Sequence, residues 1–308
     1  MRGSRRVTVR LDVGVGAARR IAAVAFITVL LLSTVIGFAL PQSASAWANG
    51  PDHGNGYGTH DWILDEALAI ARTRGGGSWV ERGTALAATD DPDTQLHDFV
   101  NHVYQTTGHV YGSAPGRVQA LFDRTVAQLR GGDREGASVT LGLLAHYYGD
   151  ICNPLHTDQV AAEQRIHSKY ETRVQRDTSL PGQNGAWVMP TRETPTSDES
   201  ARAIVAAARA HVSYAELVAD YSANGYDARV RAITAESLSS AANGVAAIID
   251  DIGRQAGVQV VEATEASGSV DAPVTGMSGP GALAVWGVAL LLLAVALTLA
   301  VLVRSRKT

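Results

Sequence analysis

Residues 146–156 read HYYGDICNPLH, and HSKYE follows at residues 167–171. Five side chains of the kinds that bind zinc lie in these two segments: His146, Asp150, His156, His167 and Glu171. Histidine nitrogens and carboxylate oxygens are common zinc ligands. So many of them in so short a stretch indicate a metal site.

Two pairs in this stretch have helical spacing. His146 and Asp150 are four residues apart, as are His167 and Glu171, so each pair would lie on one face of an α-helix. Such pairs also occur on exposed helices, where they support the helix without any metal. Against that interpretation, residues 141–145 are apolar and predict burial, and a buried histidine or aspartate needs a partner.

Pro154 separates His156 from the first pair. Proline disfavours helical backbone at and before its own position, so the helix that carries His146 is expected to end near Asn153. His156 then occupies a separate position. The spacing therefore predicts more than one metal ion.

The N-terminal sequence predicts an export signal. Several arginines precede the uncharged apolar run at residues 21–40, and an A-x-A cleavage site follows at residues 44–46. We expect residues 1–46 to be a signal peptide. The alternative is an uncleaved anchor, because the apolar run is nearly long enough to span a membrane.

The C-terminal sequence predicts a membrane anchor. Residues 282–303 are apolar and uncharged, which suits a transmembrane helix, and the basic tail at residues 304–308 is expected on the cytoplasmic side. Residues 262–281 are rich in Ser, Gly, Pro and Ala and predict a flexible stalk. The exported domain, residues 47–261, is thus expected at the cell surface, tethered by its C-terminus.

The exported domain has the pattern of an all-α fold. Strand-like alternation is scarce, and glycine-containing turns separate the helical segments. The predicted helices cover residues 60–73, 114–130, 134–151, 167–175, 197–221 and 226–252. In such a bundle, histidine and carboxylate ligands gather between facing helices.

Charge and cysteine content limit the function further. The whole chain has a formal net charge of −4, and the exported domain is more acidic, because many basic residues lie in the leader and the tail. An acidic surface repels polyanions, so we expect no preference for nucleic acid. Cys152 is the one cysteine in the chain, which excludes an intrachain disulfide.

The motifs resemble those of the zinc-dependent phospholipases C, a family with single-strand-specific nucleases as distant relatives. Residues 146–156 are similar to the family's H-Y-x-G-D-x-x-x-P-x-H segment, and residues 167–171 to its H-x-K-x-E segment. Residues 58–63 are similar to its G-x-H-x-x-I element. This resemblance makes His60, rather than His53, the ligand candidate.

Three more ligand candidates follow from less specific parts of the resemblance. The family's mature N-terminus is a tryptophan whose amine and carbonyl groups bind zinc, which resembles Trp47 after the predicted cleavage site. The family also has an aspartate followed twelve residues later by a histidine, which is similar to Asp90 and His102. Asp91 and His97 are close competitors for these two positions.

The resemblance implies three zinc ions in a multi-helix domain. Their ligand sets would be Trp47, His60 and Asp150; Asp90, His102, His146 and Asp150; and His156, His167 and Glu171. Asp150 would bridge two ions. The family member alpha-toxin has a C-terminal β-sandwich that docks on membranes, and the predicted anchor of this chain would replace it.

The function predicted from these features is hydrolysis of glycerophospholipids to diacylglycerol and a phosphorylated headgroup. Zinc-activated water would attack, with Asp90 as ligand and candidate proton acceptor. The alternatives are a single-strand nuclease or nucleotidase on the same three-zinc site, and a non-catalytic surface module stabilised by zinc. An ion with three protein ligands favours catalysis, because structural zinc sites are usually closed by four.

Overall fold

The backbone of the described residues is built from α-helices. The structure is a computed structural model, and it describes residue 47, residues 56–107 and residues 111–258. Within these ranges no strand occurs, which confirms the prediction of an all-α domain. The α-helices are α1 (Thr59–Thr73), α2 (Arg82–Ala87), α3 (Ala114–Arg130), α4 (Arg134–Ile151), α5 (Ala161–Asp177), α6 (Glu199–Val212), α7 (Tyr214–Asn224) and α8 (Ala228–Ala256).

The observed bounds agree with the sequence pattern for α3 and α4 and differ elsewhere. Helix α5 begins six residues before the predicted start at His167. The segment predicted as one helix, residues 197–221, divides at Ser213, which ends α6 and precedes α7. Helix α2 was not predicted, because six residues are too few to show a helical period.

Helix α4 is buried on all sides along residues 141–151, where it packs against α1, α2, α3 and α8. Its N-cap is Asp133, whose side chain accepts a hydrogen bond from the backbone N–H of Gly136 at 2.8 Å. Gly142 permits the close contact with α2, because a Cβ atom there would lie 2.2 Å from the carbonyl oxygen of Ala85. The centre of the domain is therefore the helix that carries the HYYGD motif.

Helix α8 is the longest described helix and packs along α1 and α3. By length and composition it is the one described helix that could cross a membrane, but 72% of its most apolar window is buried within the protein. This burial is typical of a core helix. The predicted signal peptide (1–46), stalk (262–281), transmembrane helix (282–303) and tail (304–308) lie outside the described residues.

Short irregular helices carry several candidate ligands. A single π-type turn spans Pro92–Leu96, and a 3-10 turn spans Phe99–Asn101 just before His102. Helix α4 ends at Ile151, close to the predicted end, and a 3-10 turn at Pro154–His156 follows. These turns bring separate parts of the chain toward one end of α4.

Candidate metal centre

Three groups of histidine and acidic side chains come together among the described residues. In each group, one ligand atom from every member lies within 4.8 Å of the others, which is close enough to hold one ion. The groups are His60, His146 and Asp150; Asp93, His102 and His146; and His156, His167 and Glu171. The first two share His146, so these two lie next to each other.

Asp150 lies at the centre of the three groups and is fully buried. Its Oδ1 is 3.4 Å from Nε2 of His60 and 3.8 Å from Nδ1 of His156. Its Oδ2 is 2.9 Å from Nδ1 of His102 and 3.3 Å from Nε2 of His146. Burial alone would raise the pKa of this carboxyl group, but the surrounding imidazoles hold it well below its usual range. Asp150 is therefore an anion that four histidines surround.

His60 enters the centre from α1 as a neutral imidazole. Burial, followed by the charge of His146, lowers the pKa of His60 to about 3. Its ring stacks on that of His146 with centroids 3.8 Å apart. Gly149 of α4 lets the ring of His60 lie close to the backbone of that helix, because a Cβ atom at this position would lie 3.2 Å from Nδ1 of His60. A neutral imidazole is the form that binds a metal.

His146 and His102 meet through nitrogen atoms that both face the centre. Nδ1 of His146 donates to the carbonyl oxygen of Thr89 at 2.6 Å, so Nε2 carries the lone pair when the ring is neutral. This Nε2 lies 3.1 Å from Nδ1 of His102. Burial alone would lower the pKa of His146, but the charge of Asp150 raises it. The negative charge at the centre thus favours a cation beside these nitrogens.

The third group repeats this arrangement. Nδ1 of His156 donates to the carbonyl oxygen of His102 at 2.7 Å, and Nδ1 of His167 donates to Glu163. In the neutral rings the two Nε2 atoms carry the lone pairs, and these atoms lie 3.3 Å apart. Oε1 of Glu171 lies 3.2 Å from Nε2 of His156 and 2.9 Å from Nε2 of His167. Two lone pairs and a carboxylate that converge in this way fit a zinc ion.

The acidic residues of the third group favour the protonated form of His167. Burial alone would lower the pKa of His167, but the charges of Glu171 and Glu163 raise it to about 10. Metal binding must therefore displace a proton from His167.

Trp47 contacts helix α4 through its side chain. It is fully buried, and its indole N–H donates to the carbonyl oxygen of Gly149 at 2.9 Å. Its ring centroid is 5.7 Å from that of Tyr170. Trp47 is thus hydrogen-bonded to the residue that precedes Asp150. Residues 48–55, which include His53, lie outside the described residues.

Asp93 joins the second group, although the sequence did not single it out as a ligand. Its Oδ1 is 3.7 Å from Nδ1 of His102, and its Oδ2 is 4.0 Å from Nε2 of His146. Asp90, which the resemblance favoured, belongs to none of the three groups. The pKa of Asp61 is raised to about 7, by burial first and by Asp90 among the neighbouring charges.

The competing candidates Asp91 and His97 also lie outside the three groups. His97 is exposed and adopts a left-handed backbone with φ 52°. Pro92 begins the turn between them, and this turn presents Asp93 toward the centre. The signal in the sequence was the run D-D-P-D, in which the spacing alone does not distinguish the three aspartates.

Two supporting residues were missed at the sequence level. Glu163 accepts a hydrogen bond from His167 four residues later, and Asn153 donates through Nδ2 to Oε1 of Glu171 at 3.1 Å. Such outer partners fix the orientation of metal ligands. The E-x-x-x-H-x-x-x-E spacing from Glu163 to Glu171 was the available signal for the first of them.

Comparisons with known proteins find a phospholipase C among the similar sequences. No protein-family model matches the chain. Phospholipase C from Bacillus cereus is 26% identical over 167 residues, which cover 46% of this chain and 58% of the relative. Among solved structures, alpha toxin from Clostridium absonum matches with a TM-score of 0.49 and 15% identity over 66% of this chain and 65% of that chain. Alpha-toxin from Clostridium perfringens matches with a TM-score of 0.48 and 14% identity over the same shares.

The chain therefore spans less than two thirds of the length of each of these proteins. The sequence similarity to the Bacillus enzyme nevertheless supports the resemblance stated from the motifs. The resemblance of this chain to the phospholipase C family is thereby confirmed.

Proposed function

We propose that this protein is a zinc-dependent phosphodiester hydrolase that acts as a phospholipase C on glycerophospholipids. Its products would be diacylglycerol and a phosphorylated headgroup. The observation that carries this proposal is the convergence of buried histidines and carboxylates around Asp150. The similarity to a protein named phospholipase C supports the reaction class.

Unpaired polar atoms support zinc as the occupant of the centre. Oδ1 of Asp150 and Oε2 of Glu171 are buried and have no hydrogen-bond partner among the described residues. A buried polar atom without a partner costs about 1–3 kcal/mol. A divalent cation removes these costs together, and this donor set of imidazoles and carboxylates suits zinc.

Different residues of this chain would have different roles in the reaction. Zinc, when bound, would neutralise charge on the phosphoryl oxygens and lower the pKa of water. His60, His146 and Asp150 are fully buried and would hold the cation charge in place. The side chains of Asp93 and His167 are partly exposed, by 24% and 12%. A phosphodiester would therefore approach the centre from the open edge at which these two residues reach solvent.

A carboxylate at this open edge would accept a proton during the attack of water. The sequence motif favours Asp90 for the position, and the geometry favours Asp93, which lies 3.7 Å from His102. Because general bases must lie within hydrogen-bond reach of the reacting water, we assign the role to Asp93.

Location at the membrane is part of the proposal. Residues 1–46 would direct export, and residues 282–303 would hold the domain at the cell surface, close to its phospholipid substrate. Fractionation of cells that express the full chain, or a chain that ends at residue 261, tests this. We expect the full chain in the membrane fraction and the shortened chain in the medium.

A side-by-side assay tests the activity. Full-length protein in detergent is supplied with phosphatidylcholine or with single-stranded DNA, before and after zinc is removed and restored. We expect zinc-dependent release of diacylglycerol and phosphocholine, with no free fatty acid, and loss of this activity in Asp150→Asn. Cleavage of DNA alone would favour a nuclease. Retained zinc with neither substrate cleaved would favour the non-catalytic surface module.

A further inference from the structure

His102 presents a different ring nitrogen to the metal centre from three of the other histidines. His146, His156 and His167 donate through Nδ1 and direct Nε2 inward. His102 directs Nδ1 inward, 2.9 Å from Oδ2 of Asp150 and 3.1 Å from Nε2 of His146. For Nδ1 of His102 to act as a metal ligand, the proton of its neutral ring must lie on Nε2, which faces outward.

The outward nitrogen of His102 is buried and makes no hydrogen bond among the described residues. Oδ1 of Asp98 lies 3.7 Å from this nitrogen. Asp98 and His102 flank the short 3-10 turn Phe99–Asn101, so the same turn fixes both residues. A relative movement of roughly 1 Å would bring the two atoms to hydrogen-bond distance.

Neighbouring side chains hold the carboxylate of Asp98. The hydroxyl of Tyr147 donates to Oδ1 at 2.5 Å, and Nδ2 of Asn101 donates to Oδ2 at 2.9 Å. Nη2 of Arg117 lies 3.7 Å from Oδ2, and its guanidinium group covers the Tyr147 ring at 5.3 Å from the centroid. Tyr147 follows His146 on α4. The carboxylate is therefore anchored to the helix that carries the centre.

We infer that Asp98 is a positioning residue for His102 and that Tyr147 holds Asp98 for this purpose. A carboxylate that accepts the outer N–H of a zinc-binding histidine fixes the tautomer of the ring and increases its basicity as a ligand. Asp98 would accept the outer N–H of His102, as backbone carbonyl oxygens accept the outer N–H groups of His146 and His156. The inference rests on the proposed zinc centre and adds to it the residues that orient this ligand.

Substitutions of Asp98 and Tyr147 test the inference. Asp98→Asn replaces the carboxylate by a neutral amide of the same size, and Tyr147→Phe removes the hydroxyl donor. Asp123→Asn is the matched control, because Asp123 is an exposed carboxylate on α3 that accepts a hydrogen bond from Gln119. Zinc affinity is measured on the full-length protein in detergent by competition with a chromogenic chelator. The melting temperature of the zinc-free protein is measured in parallel.

We expect Asp98→Asn to weaken zinc binding about 10- to 100-fold, with a smaller loss in Tyr147→Phe and a partial recovery in Asp98→Glu. The zinc-free Asp98→Asn protein should melt at the same temperature as the control variant. Zinc affinity of Asp98→Asn equal to that of Asp123→Asn would overturn the inference. A weakening that a lower melting temperature fully accounts for would also overturn it. A wild-type chain that binds no zinc would overturn the proposed centre itself, which distinguishes the two failures.

Discussion

Substituting either Asp90 or Asp93 by asparagine separates the two candidate carboxylates of the second group. The two changes are matched, because each removes one negative charge from the same short segment and preserves the size of the side chain. Asp93 lies 3.7 Å from His102 and 4.0 Å from His146, whereas Asp90 belongs to none of the three groups. We therefore expect Asp93→Asn to weaken zinc binding and Asp90→Asn to leave it nearly unchanged.

The size of the effect follows from charge and distance at Asp93. Two unit charges about 4 Å apart interact with about 4 kcal/mol at an effective dielectric constant of about 20. Because the side chain of Asp93 is 24% exposed, water screens the charge, and we take half of this value, about 2 kcal/mol. This corresponds to roughly a 30-fold loss of affinity for each unit of cation charge. The loss for a divalent ion should be at least this large.

Zinc content after dialysis and zinc affinity by chelator competition measure the effect. Asp93→Asn should retain the zinc of the third group, because His156, His167 and Glu171 are unchanged. Asp90→Asn should bind zinc within about threefold of the wild type, a factor below 1 kcal/mol. If Asp90→Asn loses zinc and Asp93→Asn does not, the assignment from geometry is refuted and the one from the sequence motif stands.

Three further predictions follow from the same centre. Removal of zinc should lower the free energy of unfolding by about 4 kcal/mol relative to protein with zinc at 1,000 times its Kd. Urea denaturation with and without a chelator measures this difference. Identical denaturation curves would contradict a fold that zinc stabilises. In zinc-free protein the pKa of His167 is raised to about 10, so its proton stabilises the fold fully below pH about 6.5 and loses this effect as the pH rises through 10. Since zinc must displace that proton, chelator competition should show tighter zinc binding at pH 9 than at pH 7, and a flat profile would argue against the coupling. Gly149→Ala would place a Cβ atom 3.2 Å from both Nδ1 of His60 and Cδ1 of Ile63. This substitution should destabilise the protein by about 1–3 kcal/mol and reduce its zinc content. Unaltered zinc content would show that His60 can move aside.

The sequence predicts the helices of this domain best where a helix has a clear start signal and a long apolar pattern. Helix α4 begins at an aspartate that caps it and continues through buried residues to Ile151, so its bounds could be read directly. Residues 197–221 have the pattern of one helix, yet the chain turns at Ser213. Tertiary packing of two short helices decides that division, and a one-dimensional pattern does not contain it.

The candidate ligands on helices were also predictable, whereas Asp93 was not. His146, Asp150, His167 and Glu171 stand at helical spacing, which fixes the face on which each pair lies. Asp93 lies on a single π-type turn that begins at Pro92. No periodicity describes such a turn, so the choice among neighbouring aspartates needed three-dimensional geometry.

The position of the candidate metal centre on α4 links the stability of the domain to its chemistry. The helix that packs against α1, α2, α3 and α8 is also the helix that carries His146 and Asp150. Oδ1 of Asp150 is buried and has no hydrogen-bond partner among the described residues, and such an atom destabilises a core. A cation bound at the centre would pair with this oxygen where the helices converge. Substitutions at Asp150 should therefore change the response of folding to zinc, and not activity alone.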